Sequence, residues 1–312
     1  MKQSVSYYVQ KGDTEESIRG CLSQCRLDGI ERLVYEDTPP DYPIPSVCTG
    51  CHLAFWPTWL DFYLGNEKRY RKDFPTDESL RRTFHGITRE EWVSYIKGNI
   101  KAALAEKPEY LVWHVADCTV EEAWTWKFHY SSREVLKNTA SLFAEVSDAV
   151  PDTTLVLFEN IFWPGLNLLV PEEVNYFFEL VGKNHVGIML DIGHLMNTSP
   201  YAIYNEHDGA RYVRSVIDRL GHLSKLVRGV HLSCSLSWEY RSSFERIAPV
   251  SPSGMEIMNH ITAIDQHRPF TTDSMRPVLE HLNPEFLTHE LFSKDDSIPI
   301  AQVNQQRSAL GI

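Results

Sequence analysis

The sequence predicts an α/β protein, a single (β/α)8 TIM barrel with extended loops after strands 3 and 7, and three observations carry that prediction. Short apolar runs of strand length alternate with capped, amphipathic stretches from one end of the chain to the other. No internal repeat or linker interrupts this alternation, so residues 1–312 are expected to form one domain. The apolar runs also end alike, in a histidine or a carboxylate. Val186-Gly-Ile-Met-Leu-Asp191-Ile-Gly-His194 is the clearest case. In a parallel barrel all strand C-termini gather on one face, where active sites lie.

Taken in order, Ser4–Val9 reads as the first strand, and Thr14 caps the helix that follows it, with Glu15 and Glu16 in its first turn. Ile30–Glu36 is the second strand, and a proline-rich connection leads to the third, Ser46–Leu53. A long aromatic segment, expected to be irregular, runs from Ala54 to about Gly86. Thr88-Arg-Glu-Glu91 is a capping box that opens a helix to Ala105. Tyr110–Val115 is the fourth strand, Ser131–Val150 the next helix and Thr154–Asn160 the fifth strand. Val170-Pro171 starts another helix, with proline in its first turn. Val186–Asp191 is the sixth strand, Gly209–Lys225 a helix and Arg228–Cys234 the seventh strand. An excursion from Leu236 to Pro269 precedes a helix at Ser274–Leu282 and the eighth strand, Glu285–Leu291. A C-terminal tail begins at about residue 293.

The endings define a candidate site. His52, His114, Glu159, Asp191 with His194, His231 and Glu290 close six different strands. One such ending would meet solvent, but six converging on one sheet edge amount to a metal site, because imidazoles and carboxylates crowded together without a cation are costly to bury. Side-chain alternation supports the assignment: counting back by twos from Glu159 puts Leu157 and Leu155 inside the barrel, and from His231 it puts Gly229 there. His289 has the opposite parity to Glu290 and is expected on the outer face.

Bulk properties exclude several classes. With 43% hydrophobic and 23% charged residues, the chain can bury a full core. Its formal charge of −12 and the lack of clustered lysine and arginine argue against duplex nucleic acid as a partner. The pairs Lys68-Arg69 and Arg71-Lys72 are expected to be solvated faces of an insertion. No apolar run is long enough to span a bilayer and the N-terminus lacks a signal-peptide core, so a cytoplasmic location is expected. The six cysteines suggest reduced thiols. Cys48 and Cys51, three apart on a strand, are expected to point to opposite faces and so neither to chelate one metal nor to form a disulfide.

Glu159, Asp191, His231 and Glu290, one from each of strands five to eight, resemble the metal-binding quartet of the xylose isomerase-like barrels. The chain is also similar to the endonuclease IV family (AP endonuclease family 2), to which His52, His114, His194 and the pair Asp265-Gln-His267 add the remaining ligand positions. The resemblance covers the whole barrel. It implies one to three divalent ions per chain, and a ligand set of nitrogen and oxygen without thiolate suits Zn, Mn, Fe(II) or Co(II). Two departures stand out: Asp265 follows a long insertion after His231, and no loop for penetrating a duplex is recognisable.

Two activities follow from the resemblance. A multinuclear centre would hydrolyse a phosphodiester with a metal-activated water. A single metal would instead polarise a hydroxy-ketone of a sugar or sugar phosphate, with Glu159 and Glu290 moving the proton in an isomerase or epimerase. The loops after strands three, four and five carry Trp56, Trp59, Tyr63, Trp124, Trp126 and Trp163, expected to wall a pocket for a large, partly planar small-molecule substrate. With the metal pattern, this rim resembles the phosphodiesterases of the superfamily that cleave the nucleotide loop of cobamides.

Overall fold

The structure is a computed structural model that describes residues 1–293 and 295–312. Eight parallel strands close into a barrel in sequence order: β1 (Lys2–Tyr7), β2 (Gly29–Leu33), β3 (Cys48–His52), β4 (Tyr110–His114), β5 (Leu155–Glu159), β6 (Val186–Asp191), β7 (Val227–Leu232) and β8 (Phe286–His289). β1 pairs with both β2 and β8, which closes the ring and leaves no free edge.

The alternation read from the sequence sets the layers. Tyr110, Val112, Leu155, Leu157, Met189 and Phe286 form one buried cluster, and each has the parity of the functional group that ends its strand, so they fill the barrel interior beneath the site. The other parity, with Leu111, Val156, Phe158, Ile188, Leu190 and Val230, belongs to the larger cluster shared with the helices. Gly50 is needed at its place: a Cβ there would stand 2.2 Å from the Tyr110 ring, which crosses the interior at that level.

The helices in chain order are α1 (Glu15–Cys25), α2 (Leu60–Tyr63), α3 (Glu67–Asp73), α4 (Asp77–Phe84), α5 (Arg89–Leu104), α6 (Val120–Thr125), α7 (Ser132–Val146), α8 (Pro171–Val181), α9 (Ile192–Asn197), α10 (Glu206–Leu220), α11 (Trp238–Ser243), α12 (Gly254–Ile264), α13 (Arg276–Leu282) and α14 (Ile300–Leu310). The predicted caps at Thr14 and Thr88, and Ser131 before α7, each accept from the backbone N–H of the N3 residue. The segment after β3, expected to be irregular, instead holds α2, α3 and α4. Thr76 supplies a further capping box, and the aromatic residues explain the order, since Phe62 stacks on Phe84 at 4.1 Å and both meet Trp92 of α5. The basic residues here are paired locally, Arg69 with Asp61 and Arg71 with Glu67 and Asp77.

β3 departs from the expected alternation. Ile30 pairs with Cys48 but Glu31 with Gly50, so Thr49 is an extra residue in a bulge. The insertion turns Cys48 to the same side as Cys51 and brings their Sγ atoms to 3.6 Å, which corrects the expectation of opposite faces. Both thiols are buried, and neither joins a metal-ligand cluster among the described residues.

The chain beyond β8 ends in α14, which packs against α1 with Val303 beside Ile18 and Leu22 in one cluster. Its Gln306 is fully buried. The amide donates to His289 Nδ1 at 2.9 Å and to the Leu232 carbonyl at 3.0 Å, while its oxygen accepts from Phe270 N at 2.7 Å. His289 thus lies outside the barrel, as its parity requires. Burial, with the nearby Arg307 charge, pushes His289 down to about 3, so the imidazole is neutral and can accept. Replacing Gln306 by leucine should therefore cost about 2–5 kcal/mol, because it strands several buried polar groups. Urea unfolding measures this, and a wild-type midpoint would show that α14 does not hold β7 and β8.

Candidate metal centre

The nine sequence-predicted ligands all meet at the C-terminal mouth of the barrel. They form three groups whose candidate ligand atoms lie within 4.8 Å of one another: His52, His114 and Glu159; Glu159, Asp191, His231 and Glu290; and His194, Asp265 and His267. Glu159 belongs to two groups. Its Oε2 lies 3.1 Å from His52 Nε2 and 2.9 Å from His114 Nε2, and its Oε1 lies 3.1 Å from His231 Nδ1. Asp265 Oδ2 is 3.0 Å from His194 Nε2 and 2.7 Å from His267 Nε2.

Asp265 reaches the site because the excursion returns to the strand it left. Cys234 and Arg268 form an antiparallel bridge, which sets the two residues of Asp265-Gln-His267 over the mouth whatever the length of chain between them. His267 pays for its place with a left-handed backbone, φ 43. Asp191 caps α9 by accepting from the His194 backbone N–H, so the Asp-x-x-His spacing is a helix cap as well as a ligand pair. Gly193 sits between them because a Cβ would come 2.7 Å from Ser233 Oγ.

A buried residue that the sequence reading passed over completes the site. Glu31, on β2 and fully enclosed, accepts from His231 Nε2 at 3.0 Å, from Tyr110 OH at 2.8 Å and from Thr288 Oγ1 at 3.2 Å. The His231 ring is thereby held with Nδ1 turned to Glu159 and Glu290. A carboxylate behind a histidine fixes the tautomer and raises ligand basicity. The signal was a carboxylate inside the strand run Gly29-Ile-Glu31, at a position the β1 pairing places opposite Ser6.

The donor set fits divalent cations. Five imidazoles face five carboxylates, and among the described residues no lysine or arginine pairs with Glu31, Glu159, Asp191, Asp265 or Glu290. Asp191 Oδ2 is buried without a hydrogen-bond partner among those residues. Burial, together with the charges of Glu290 and Asp265, pushes the Asp191 carboxyl well up, against the pull of His194. Burial acts the same way on Glu159, but there the His114 and His231 charges prevail and hold it well below the usual carboxylate range. Such a cluster is charge-balanced by protons when alone and by a cation when loaded.

The expected aromatic wall is partly corrected. Trp59 is buried and donates through Nε1 to the Ala116 carbonyl at 2.8 Å, and Tyr63 is buried with its hydroxyl on Glu145 at 2.7 Å. Trp56 donates to the Thr83 carbonyl at 2.7 Å and packs edge-on against Trp92. The polar atoms of all three are satisfied by protein groups, on α4 for Trp56, on α7 for Tyr63 and in the connection after β4 for Trp59, so they serve as packing. Trp124 stacks on His260 at 4.2 Å, and Trp163 is buried beside Phe162. The rings that border the ligands are phenylalanines: Phe55 on His114 at 4.2 Å, Phe162 against His194 at 5.8 Å and Phe292 on His267 at 4.3 Å. Trp126 joins this rim through Phe162, in a left-handed conformation with φ 53. Cys118 and Cys234 are buried near strand ends, and neither is in a ligand group among the described residues.

No family model matches the chain, and no curated protein does. Solved structures do. Endonuclease IV from Thermus thermophilus is 13% identical over 100% of this chain and 99% of its own, with a TM-score of 0.54. An L-ribulose 3-epimerase is 12% identical over 100% and 94%, with a TM-score of 0.55. A D-psicose 3-epimerase, in the presence of D-fructose, is 13% identical over the full length of both chains, with a TM-score of 0.53. The chain shares the fold of these proteins, a (β/α)8 TIM barrel. No helix among the described residues is long and apolar enough to cross a membrane.

Two measurements follow from this geometry. Trp59→Ala should lower stability by about 3–5 kcal/mol, the cost of truncating a large buried ring, and should leave metal content unchanged; loss of metal with stability intact would return Trp59 to the site. The second concerns pH. Burial opposes the His267 charge, but Asp265 and Glu290 outweigh it and push the imidazole up to about 10. In the metal-free protein a proton therefore holds Nε2 at neutral pH, and a cation must displace it. Affinity for Zn(II) should rise by about tenfold per pH unit for each proton released between roughly pH 6 and 9. Competition with a chelator at several pH values, corrected for the chelator's own titration, checks this, and a flat profile would contradict it.

Proposed function

We propose that the chain is a metal-dependent hydrolase of a phosphodiester in a small or medium-sized molecule. The observation that carries this reading is the sharing of Glu159 between two ligand groups, with a third group alongside. Nine ligands exceed what one ion coordinates, whereas in-line displacement at phosphorus gains from ions on both the attacking and the leaving oxygen. Bound divalent ions there supply Lewis acidity and an activated water. Glu159 lies between the histidines of β3 and β4 and that of β7, so its two oxygens suit a bridging carboxylate. Asp191 has one oxygen on the His194 backbone and the other free, so it can bind an ion without breaking its cap. Phe55, Phe162 and Phe292 stand against three of the ligand rings and would give the centre an apolar border. Within this class the nucleotide loop of a cobamide remains the specific candidate substrate, without the support of the aromatic rim now that Trp56, Trp59 and Tyr63 serve as packing.

A second reading, epimerisation or isomerisation of a sugar or sugar phosphate, has the fold neighbours on its side, since two of the three described above are sugar 3-epimerases. The quartet Glu159, Asp191, His231 and Glu290 forms a complete group by itself. In this reading it holds one ion, Glu159 and Glu290 move the proton, and His52, His114 and His267 are bystanders.

Metal stoichiometry separates the two. The hydrolase reading predicts two or three ions per chain, with His114→Ala and His267→Ala each losing about one. It also predicts that bis(p-nitrophenyl) phosphate is cleaved, with turnover falling in both variants far more than substrate affinity. A wild type that holds one ion, keeps it in both variants and epimerises a ketose would establish the second reading. Anaerobic purification and elemental analysis supply the count, since Fe(II) is a candidate.

A further inference from the structure

The five site histidines differ in what holds the nitrogen turned away from the centre. His52 Nδ1 donates to the Leu53 carbonyl at 2.9 Å, His194 Nδ1 to the Asn160 carbonyl at 2.9 Å, and His267 Nδ1 to the Glu290 carbonyl at 3.1 Å. His231 Nε2 donates to Glu31 at 3.0 Å. Each of these four rings has its tautomer set by a protein acceptor, which leaves the other nitrogen free for a cation. His114 is the exception. Its Nε2 faces Glu159, while its Nδ1 is buried and has no protein partner among the described residues.

Behind His114, between the ends of β3 and β4 and the helices α5 and α7, lies a cavity lined by Phe55, Trp56, Trp92, Asn99, Thr139 and His114 among others. The space open to the centre of a water-sized sphere is ≈ 30 Å³. One water needs about 10–15 Å³, so the cavity has room for about two or three waters and none for a substrate. Two other lining residues also carry a buried polar atom without a partner, Trp92 Nε1 and Thr139 Oγ1. Asn99, the remaining polar residue named, is already engaged: its oxygen accepts from Ala54 N and its amide donates to the Val34 and Glu36 carbonyls. Three unsatisfied groups around one small cavity would cost about 1–3 kcal/mol each if left dry.

We propose that this cavity is a structural water site, and that its water accepts the His114 Nδ1 proton and so positions His114 as a metal ligand. Water suits the set because it can accept from the indole N–H of Trp92 and the imidazole N–H while donating to the Thr139 hydroxyl oxygen. His114 thereby gains through water the outer partner that the other four rings obtain directly. This makes Thr139 and Trp92 positioning residues that do not touch substrate. The proposal rests on the metal-centre reading for its consequence but not for the water itself.

The test uses the full chain with Co(II) as the probe. A high-resolution crystal structure of the metal-free protein should show ordered water within hydrogen-bond distance of His114 Nδ1 and Thr139 Oγ1. Thr139→Val, which keeps the shape and removes the hydroxyl, should weaken the ion at His52, His114 and Glu159 by several-fold. Thr139→Ile, which fills the space, should weaken it by about tenfold or more, the usual range for an outer partner. Nitrogen NMR of the zinc-loaded protein should find the Nδ1–H tautomer at His114, with Nδ1 hydrogen-bonded. Thermal unfolding of the metal-free variants separates misfolding from ligand loss. A cavity without ordered water, or Co(II) affinity unchanged in a folded Thr139→Ile protein, would overturn the proposal. If wild type binds no Co(II) but the water is present, the metal-centre reading fails and the water site stands.

Discussion

The structure depends on one electrostatic constraint: five carboxylates and five imidazoles share the C-terminal mouth of a barrel, with no lysine or arginine among the described residues paired to those carboxylates. Glu31, Glu159, Asp191 and His231 are fully inaccessible; the others are buried except His114 and Glu290, which are partly exposed. Burying a carboxylate without a counter-charge is prohibitive, so the cluster must hold either protons or metal ions. The direction of the shifts shows how it divides the load. Asp191 is pushed up by burial among other carboxylates, whereas in Asp265 and Glu290 the same burial is outweighed by the histidine charges beside them, which hold both well down. A cation bound there would displace protons from Asp191 and from the histidines, while Asp265 and Glu290 stay ionised.

That geometry comes from layers beneath the site. Tyr110 crosses the barrel interior over Gly50, where a side chain would block it, and its hydroxyl reaches Glu31. Thr288 and Ser4 extend the same polar chain, with Ser4 Oγ 2.9 Å from Thr288 Oγ1. Below them the interior is apolar. The passage from hydrocarbon to hydroxyls to carboxylates and imidazoles follows single strands upward, and β8 with the residue after it spells it out as Phe286, Thr288 and Glu290. Because alternate residues share a face, the order of residue types along a strand becomes the order of chemistry along the barrel axis.

The fold and most of the ligand set were legible because they depend on local pattern. Apolar runs give strands, and strand ends give the mouth, so His52, His114, Glu159, Asp191, His231 and Glu290 could be named from one chain. Asp265 and His267 could be named by resemblance, yet how they arrive depends on the Cys234–Arg268 bridge, a long-range pairing with no local signature. Glu31 was hidden because a carboxylate near the start of a strand looks like a solvated one until the barrel closes around it. The Thr49 bulge was hidden for a related reason, since it is visible only in the register with β2. Aromatic residues misled most. A tryptophan in a rim loop reads the same whether it faces a ligand or the neighbouring helix, and only the partner of its N–H distinguishes the two cases, as Ala116 does for Trp59 and Thr83 for Trp56.

The excursion after β7 shows how this fold can separate chemistry from selectivity. Its two ends are pinned to each other at Cys234 and Arg268, and Ser235 Oγ accepts from Gln266 N at 2.9 Å, so Asp265 and His267 are fixed from the barrel side. The chain between is held differently. α11 and α12 meet through Tyr240, whose hydroxyl bonds His260 Nδ1 at 2.8 Å, and His260 in turn stacks on Trp124 of α6. Arg246 lies over Trp126 at 4.6 Å, while Ile247, Val250, Met255 and Met258 stay exposed. Residues of the excursion can therefore change the rim that a substrate meets while the bridge keeps two ligands in register. The same division explains why the ligand pattern was readable where the substrate was not: the metal groups are dictated by strand ends and one bridge, and the rim by contacts between loops that share no sequence pattern.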